Sequence, residues 1–266
     1  MALRDWQLAL GQLVEARAAG RDHAPAPALL AGLELSGAER TWLEEVTATP
    51  GFALTSFVPR WWRDTRVARS ARLTLAALGA EAAARLDDYR RAVPNFTLFF
   101  VPEGIAFTEY VETLAVPAVV HAVARFERAM WNVRLGVPVA ASTAAAEAGA
   151  PGSPSLEPGA ALDDEPLVRH PAAAVIAFEA APDQVLAALL QGQPLPDPDA
   201  EPHHALVAPG LPGRWRSASS AEALAFRACE PARTPRALRA LPHGRPEAVD
   251  SLWAARALVR AAPPAG

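Results

Sequence analysis

The stretch that decides the fold is residues 60–135. It opens on Arg60-Trp61-Trp62-Arg63-Asp64-Thr65-Arg66 and carries Phe99-Phe100-Val101-Pro102-Glu103 in its middle. Its apolar residues return at helical spacing. Val67, Ala71, Thr74, Leu75 and Leu78 define one helix face, with Gly79 as a stop. Leu86, Tyr89 and Val93 mark the next helix, closed by Pro94. Pro102 stands at a first helical position ahead of Phe107, Tyr110, Val111 and Leu114. Val119, Val123, Phe126, Met130 and Val133, at offsets of 4, 7, 11 and 14, give a further helix. The tryptophan pair is expected near a helix start. Adjacent helical residues lie about 100° apart, so one ring is expected in the core and the other outside.

Toward the N-terminus, Leu3, Trp6, Leu10 and Leu13 form a helix stripe that His23-Ala24-Pro25-Ala26-Pro27 ends. A helical stretch from Leu33 to Val46 has Ser36 as N-cap and Glu39 completing a capping box. Residues 1–32 therefore read as an N-terminal helix and Pro-rich connector, and residues 33–136 as an α-helical domain of orthogonal or bundle type. Residues 137–165 shift to Ala, Gly, Pro and Ser and read as a flexible linker.

The pattern then changes type. Ala172–Phe178, bounded by Pro171 and Pro182, reads as a strand. Pro182-Asp183 opens a helix through Val185, Leu186, Leu189 and Leu190, stopped at Gly192. His204–Ala208 and Arg214-Trp215-Arg216 read as two more strands about the turn Pro209-Gly210-Leu211-Pro212-Gly213. Ser219-Ser220-Ala221-Glu222 is a second capping box. Residues 166–231 are thus expected to form a small α+β domain with a short three-stranded sheet. Residues 232–266 are a Pro/Arg-rich tail with one candidate helix at Ser251–Arg260. The fold class is α+β, with the helical domain first.

Composition narrows the function. The 266 residues carry a net charge of −4 and no Lys, and Ile occurs only at Ile105 and Ile176. Arg, Ala, Pro and Gly enrichment of this kind fits a GC-rich coding sequence rather than a phosphate-binding surface, which is usually basic. The lone Cys229 forbids an internal disulfide and a Cys-based metal cluster. The first residues lack the apolar core of a signal peptide, and no apolar run reaches the ~20 residues that span a bilayer, so a cytoplasmic protein is expected.

Arg60, Arg63, Arg66, Arg69 and Arg72 recur every third residue and invite a nucleic-acid reading. Each step of three falls roughly 60° short of a full helical turn, so the five wind around the helix instead of forming a comb. Asp64 and Glu103 are candidate ion-pair partners for them. His203-His204 beside Asp197, Asp199 and Glu201 suggests a metal site, but carboxylates alternating with Pro lack a fixed ligand geometry. His121 and Arg125 sit four apart on a helix, where a lone His is more often structural than catalytic. No Gly-x-Ser-x-Gly, Walker loop, dinucleotide fingerprint or His-Glu-x-x-His occurs. No catalytic residue, metal ligand or cofactor is assigned. Three short strands leave an unpaired edge that can accept an extended peptide.

An ordered set of segments resembles the methanobactin-biosynthesis partner proteins of the MbnC type. It comprises Trp62 with Arg66-Val67-Ala68-Arg69-Ser70-Ala71-Arg72-Leu73-Thr74-Leu75, Phe99-Phe100 with Phe107, and Arg125-Phe126-Glu127-Arg128-Ala129. Val175-Ile176-Ala177-Phe178, Pro182 with Val185-Leu186-Ala187-Ala188-Leu189, Leu206-Val207-Ala208-Pro209-Gly210 and Trp215-Arg216 complete it, spanning roughly Phe52–Cys229. The resemblance implies a heterodimer with a multinuclear non-heme iron oxidase and a shared ribosomal precursor peptide whose cysteines are modified. It implies a partner that lacks the iron ligands and helps hold the leader peptide. On this reading Trp62, Arg66, Phe99, Phe100 and Arg125 bind the oxidase. Val175, Ile176, Leu206, Val207 and Trp215 bind the peptide, at the edge near His204–Ala208 or Ala173–Phe178. The competing class is a nucleic-acid-binding regulator using the Arg-rich helix; a stand-alone hydrolase or oxidoreductase lacks a visible site.

Overall fold

Helix caps and apolar faces assemble two units. In the computed structural model, residues 3–18, 30, 32–93, 99–136, 164–241 and 245–261 are described. The chain divides into Met1–Tyr110 and Val111–Gly266.

The first unit is helical: α1 (Leu3–Ala18), α2 (Gly37–Thr47), α3 (Pro50–Ser70), α4 (Arg72–Leu78), α5 (Ala82–Ala92) and the start of α6 (Phe100–Glu112). The expected capping box opens α2. The Glu39 N–H donates to Ser36 Oγ at 3.3 Å and the Ser36 N–H to the Glu39 carboxylate at 2.8 Å. Ala9 and Leu13 of α1 share a core with Leu30, Leu43 and Phe52. Residues 3–18 therefore belong to the helical unit itself, where the sequence reading set residues 1–32 apart.

The tryptophan pair is not at a helix start. Thr49 caps α3, accepting from the Phe52 N–H at 3.2 Å, Pro50 fills the first turn, and the helix runs through Pro59 to Ser70. Pro59 forfeits one backbone donor, yet the helix continues past it, with Phe52 and Ser56 buried before it and Arg63 and Val67 after. The helix then breaks at Ala71 (φ −126°, ψ 41°), so residues 67–78 form two helices rather than the one expected. Behind the break, Ser70 meets Gly104 of α6. A Cβ on Gly104 would stand 2.2 Å from Ser70 Oγ and 2.5 Å from Ser70 Cβ.

The second unit carries the antiparallel sheet β2-β3-β4, from Ala174–Phe178, His203–Val207 and Trp215–Ala218. Its register pairs Ile176 with Ala205 and Leu206 with Arg216. Directly paired residues share a face. One face is covered by α7 (Ala118–Leu135), whose Phe126 ring meets Phe178 and Trp215 edge-on, centroids 6.3 and 5.3 Å away. On the other, Val175, Leu206 and Ala218 pack with Phe226 of α9 (Ser220–Ala228) and with Val249 and Leu252 of α11 (Pro246–Ala254). The helix α8 (Pro182–Gln191) links β2 to β3 and ends on the expected Gly192, in the left-handed conformation at φ 65°.

Two expected boundaries are corrected. Residues 118–135 pack on the sheet, not in the helical domain, because the apolar stripe of α7 finds its partner in the exposed side of β2 and β3. The described part of residues 232–261 is not a tail: α10 (Pro235–Arg239) supplies Leu238 to the sheet's core, and β5 (Leu258–Arg260) pairs with β1 (Leu167–Arg169). Of the expected linker, 137–163 lies outside the described residues, and the strand that follows it went unread.

The second capping box is tied into this core. Glu222 accepts from the Ser219 N–H at 2.8 Å and pairs with Arg216 at 2.5 Å, while Arg216 also donates to Ser251 Oγ at 2.7 Å. Burial alone would push the Glu222 carboxyl up; the hydrogen bonds from Arg216, Ser219 and Ser251 outweigh it and hold the pKa at about 2. A folded pKa below the ordinary 4.5 adds stability that is complete above that value and lost as pH falls through the folded one. Thermal unfolding of Glu222→Gln should accordingly show a flatter loss of Tm between pH 5 and pH 2 than the parent chain, with roughly 1–3 kcal/mol less stability at pH 7.

Overpacking supplies a sharper check. Gly104→Ala forces Ser70 and the α3–α6 contact apart, an expected loss of about 1–3 kcal/mol in denaturant unfolding. Adding Ser70→Gly should return part of that loss, since it removes both atoms the new methyl would strike.

Candidate peptide edge and interaction face

Backbone hydrogen bonding locates the open edge of the sheet. In an antiparallel strand each residue directs both its N–H and its C=O to one side, and successive residues alternate. The Ala208 N–H donates to Arg214 O at 2.9 Å, so with the observed register Leu206 and His204 point to β4. Val207, Ala205 and His203 then point to β2, where they meet Ala174, Ile176 and Phe178. The strand β3 is thus central and paired on both sides. This corrects the expectation that the segment His204–Ala208, with Leu206 and Val207, offers an edge. Both residues are fully buried.

Two edges remain, and they differ. On β2 the alternation turns Val175 and Ala177 outward, leaving two N–H and two C=O groups without a backbone partner among the described residues. The ends of this run are occupied, since the Ala173 N–H donates to His170 O and the Asp199 N–H to Glu179 O. The strand itself, Ala174–Phe178, contains no charged residue and no Pro. On β4 the outward carbonyl of Ser217 accepts from the Arg216 guanidinium at 2.8 Å. A charged side chain folded over an edge is a standard way of closing it.

The named peptide residues therefore divide. The Val175 backbone faces the edge, while its half-buried side chain packs into the core. Ile176 is buried and directed to β3, and Trp215 is engaged with Phe126. Ala177, which the sequence reading did not single out, is the exposed residue at the centre of the open edge. Only the pairing order identifies it, and composition carries no trace of that.

In the helical unit a buried polar cluster fixes α3 against α5 and α6. Arg63 Nε donates to Glu103 Oε1 at 2.5 Å and its Nη2 to the Val93 carbonyl at 2.6 Å, with its guanidinium 4.5 Å from the Tyr89 ring centre. The Tyr89 hydroxyl donates to the same Glu103 oxygen at 3.0 Å. Burial, and then the Glu103 carboxylate, push the Tyr89 phenol above its ordinary range, so it remains a donor. Arg90 pairs with Asp64 and Asp87, and Arg60 with Asp87 at 2.9 Å.

The arginine series is largely consumed by this arrangement. Arg60 and Arg63 are in ion pairs, Arg66 is buried, and Arg69 lies over the Phe100 ring at 5.3 Å. Of the named docking residues, Trp62 and Phe99 are exposed, Phe100 is half-buried under Arg69, and Arg125 is exposed beside Glu112. Both Trp61 and Trp62 face solvent, 48% and 42% exposed, rather than one in the core. Their rings meet edge-on at 4.9 Å.

The histidine pair separates across the sheet. His203 contacts Asp199 at 2.6 Å, while His204 is buried on the opposite face. Among the described residues no group of three or more His, Cys, Asp or Glu is placed to hold a metal ion, and no helix is long and apolar enough to cross a membrane. Comparison of the chain with known protein families, curated proteins and solved structures finds no match.

The buried ion pair predicts an asymmetric mutational response. Glu103→Leu strands the Arg63 charge and should cost about 3–5 kcal/mol in chemical denaturation, whereas Arg63→Met combined with Glu103→Leu should recover most of it.

Proposed function

We propose that this chain is a non-catalytic partner subunit that holds an extended peptide on the β2 edge and docks an oxidase through its helical unit. The observation that carries the reading is the open, uncharged edge at Val175 and Ala177, whose four outward backbone groups suit an added strand. The resemblance of the segments between Phe52 and Cys229 names the finer identities. The peptide is the leader of a ribosomally made precursor, and the oxidase is a multinuclear non-heme iron enzyme that modifies its cysteines, as in methanobactin-like biosynthesis. In the helical unit docking falls to Trp62, Phe99 and Phe100; Arg125, exposed on the second unit, is a separate candidate contact. Arg66, being buried, supports α3 instead of touching the partner.

The test is co-purification of the tagged chain with the iron oxidase and precursor peptide encoded beside it. A stable one-to-one complex with iron only in the other subunit is expected. Ala177→Pro removes one outward N–H and leaves the β2–β3 ladder intact. It should weaken leader binding by about tenfold, the equivalent of one ~1.4 kcal/mol hydrogen bond, without changing oxidase binding. Unchanged leader affinity places the peptide elsewhere; a chain that ignores the oxidase rejects the partner reading.

A further inference from the structure

The helix α3 is inverted. Five large apolar side chains on it face solvent: Leu54 at 66% exposure, Phe57 at 54%, Val58 at 44%, Trp61 at 48% and Trp62 at 42%. Their offsets of 0, 3, 4, 7 and 8 place them on one arc of the helix. The opposite arc buries Ser56, Arg63, Arg66 and Ser70 along with Phe52 and Val67. Pro50, Thr65 and Ala68 continue the outer arc, and the first charged residue on it is Arg69, which lies over the Phe100 ring.

The five side chains expose roughly 600 Å² of mostly apolar surface, at the upper end of the largest patch on an ordinary monomer. Each partner in a standard protein interface contributes ~800 Å², so this arc with its continuation supplies most of one half of a stable dimer contact. A lipid surface fits poorly, because interfacial helices present a cationic polar face beside the apolar one, and here that face is buried in ion pairs. A second copy fits well. An uncharged arc requires no complementary sequence, and the charges beside it are matched within the chain, Arg60 with Asp87 and Arg90 with Asp64. Between Leu54 and Trp62, two copies therefore meet without unopposed like charges.

We infer that the occupant of this face is a second copy of the chain, packed α3 against α3 about a twofold axis. The helices run antiparallel, with Phe57 and Val58 of one protomer against Trp61 of its partner. This dimer goes beyond the partner reading, and its test is separate from the co-purification that tests that reading. Trp62, at the margin of the arc, is shared with the proposed docking surface, so the test uses its neighbours.

The experiment is sedimentation velocity of the full chain across a concentration series, with light scattering for mass. A reversible dimer is expected for the parent chain. Val58→Glu should raise the dimer dissociation constant by about a hundredfold or more, with unchanged circular dichroism, because it buries two facing carboxylates. A second readout uses the fact that the sole native cysteine, Cys229, is buried. Val58→Cys introduces one exposed thiol near the twofold axis, and a short bismaleimide should couple two protomers through it. Arg236→Cys, at an exposed position of α10, should not couple. A chain that stays monomeric near 100 µM, a rough upper bound for specific association, overturns the inference. So does a dimer indifferent to Val58→Glu that Val58→Cys fails to link.

Discussion

Burying a guanidinium is tolerable only if its charge is opposed and its donors are filled, and the helical unit is arranged around that requirement at Arg63. Glu103 opposes the charge, the Val93 carbonyl takes a second donor, and the Tyr89 ring covers the planar face. Each of these groups comes from a different segment: α6, the end of α5 and the body of α5. Satisfying one side chain therefore fixes two helices, α5 and α6, relative to α3. The close approach at Gly104 follows, since Glu103 reaches Arg63 only where α6 and α3 nearly touch, and the neighbouring position has no room for a Cβ against Ser70. A purely apolar contact would permit sliding; an ion pair with a filled donor set does not.

The sheet unit is ruled by a different constraint, the alternation of backbone groups along a strand. Once Ala208 donates to Arg214, every outward and inward group on all three strands is determined. The same register sends Arg216 to the α9–α11 face, where Glu222 and Ser251 hold it, and brings its guanidinium back over the Ser217 carbonyl. Closing β4 and leaving β2 open are two consequences of one pairing order. The openness of β2 is also bounded, because Ala173 and Glu179 are already bonded at its ends.

Local signals in the sequence predicted local structure well. Both capping boxes form as read from Ser36/Glu39 and Ser219/Glu222, Gly192 stops its helix, and the three central strands fall where the apolar runs place them. Of the two carboxylates expected to partner the arginine series, Glu103 pairs with Arg63, while Asp64 pairs with Arg90, outside the series. Tertiary choices were not legible. The stripe of α7 is equally suited to a helix bundle or a sheet, and only packing shows that it covers β2 and β3. The short strand Leu167–Arg169 gains its identity from Leu258–Arg260, more than eighty residues away, so neither reads as a strand alone. The order β2-β3-β4, which decides the candidate peptide site, is likewise invisible in any one strand.

The motif Arg-Trp-Trp-Arg illustrates how such choices reverse an expectation. Helical periodicity identifies an apolar arc but does not say which arc faces inward, and the ordinary presumption buries the tryptophans. Here the arc with Arg63 and Arg66 is buried, since those side chains have matched partners inside and the rings do not. Burial of the charged arc is sustained by hydrogen bonds and exposure of the ringed arc is not sustained by anything within the described residues of the helical unit. The first is a closed balance and the second an open one. An unfavourable exposed arc that spans most of a 21-residue helix is relieved by association. Its lack of charge makes a copy of itself a sufficient counterpart.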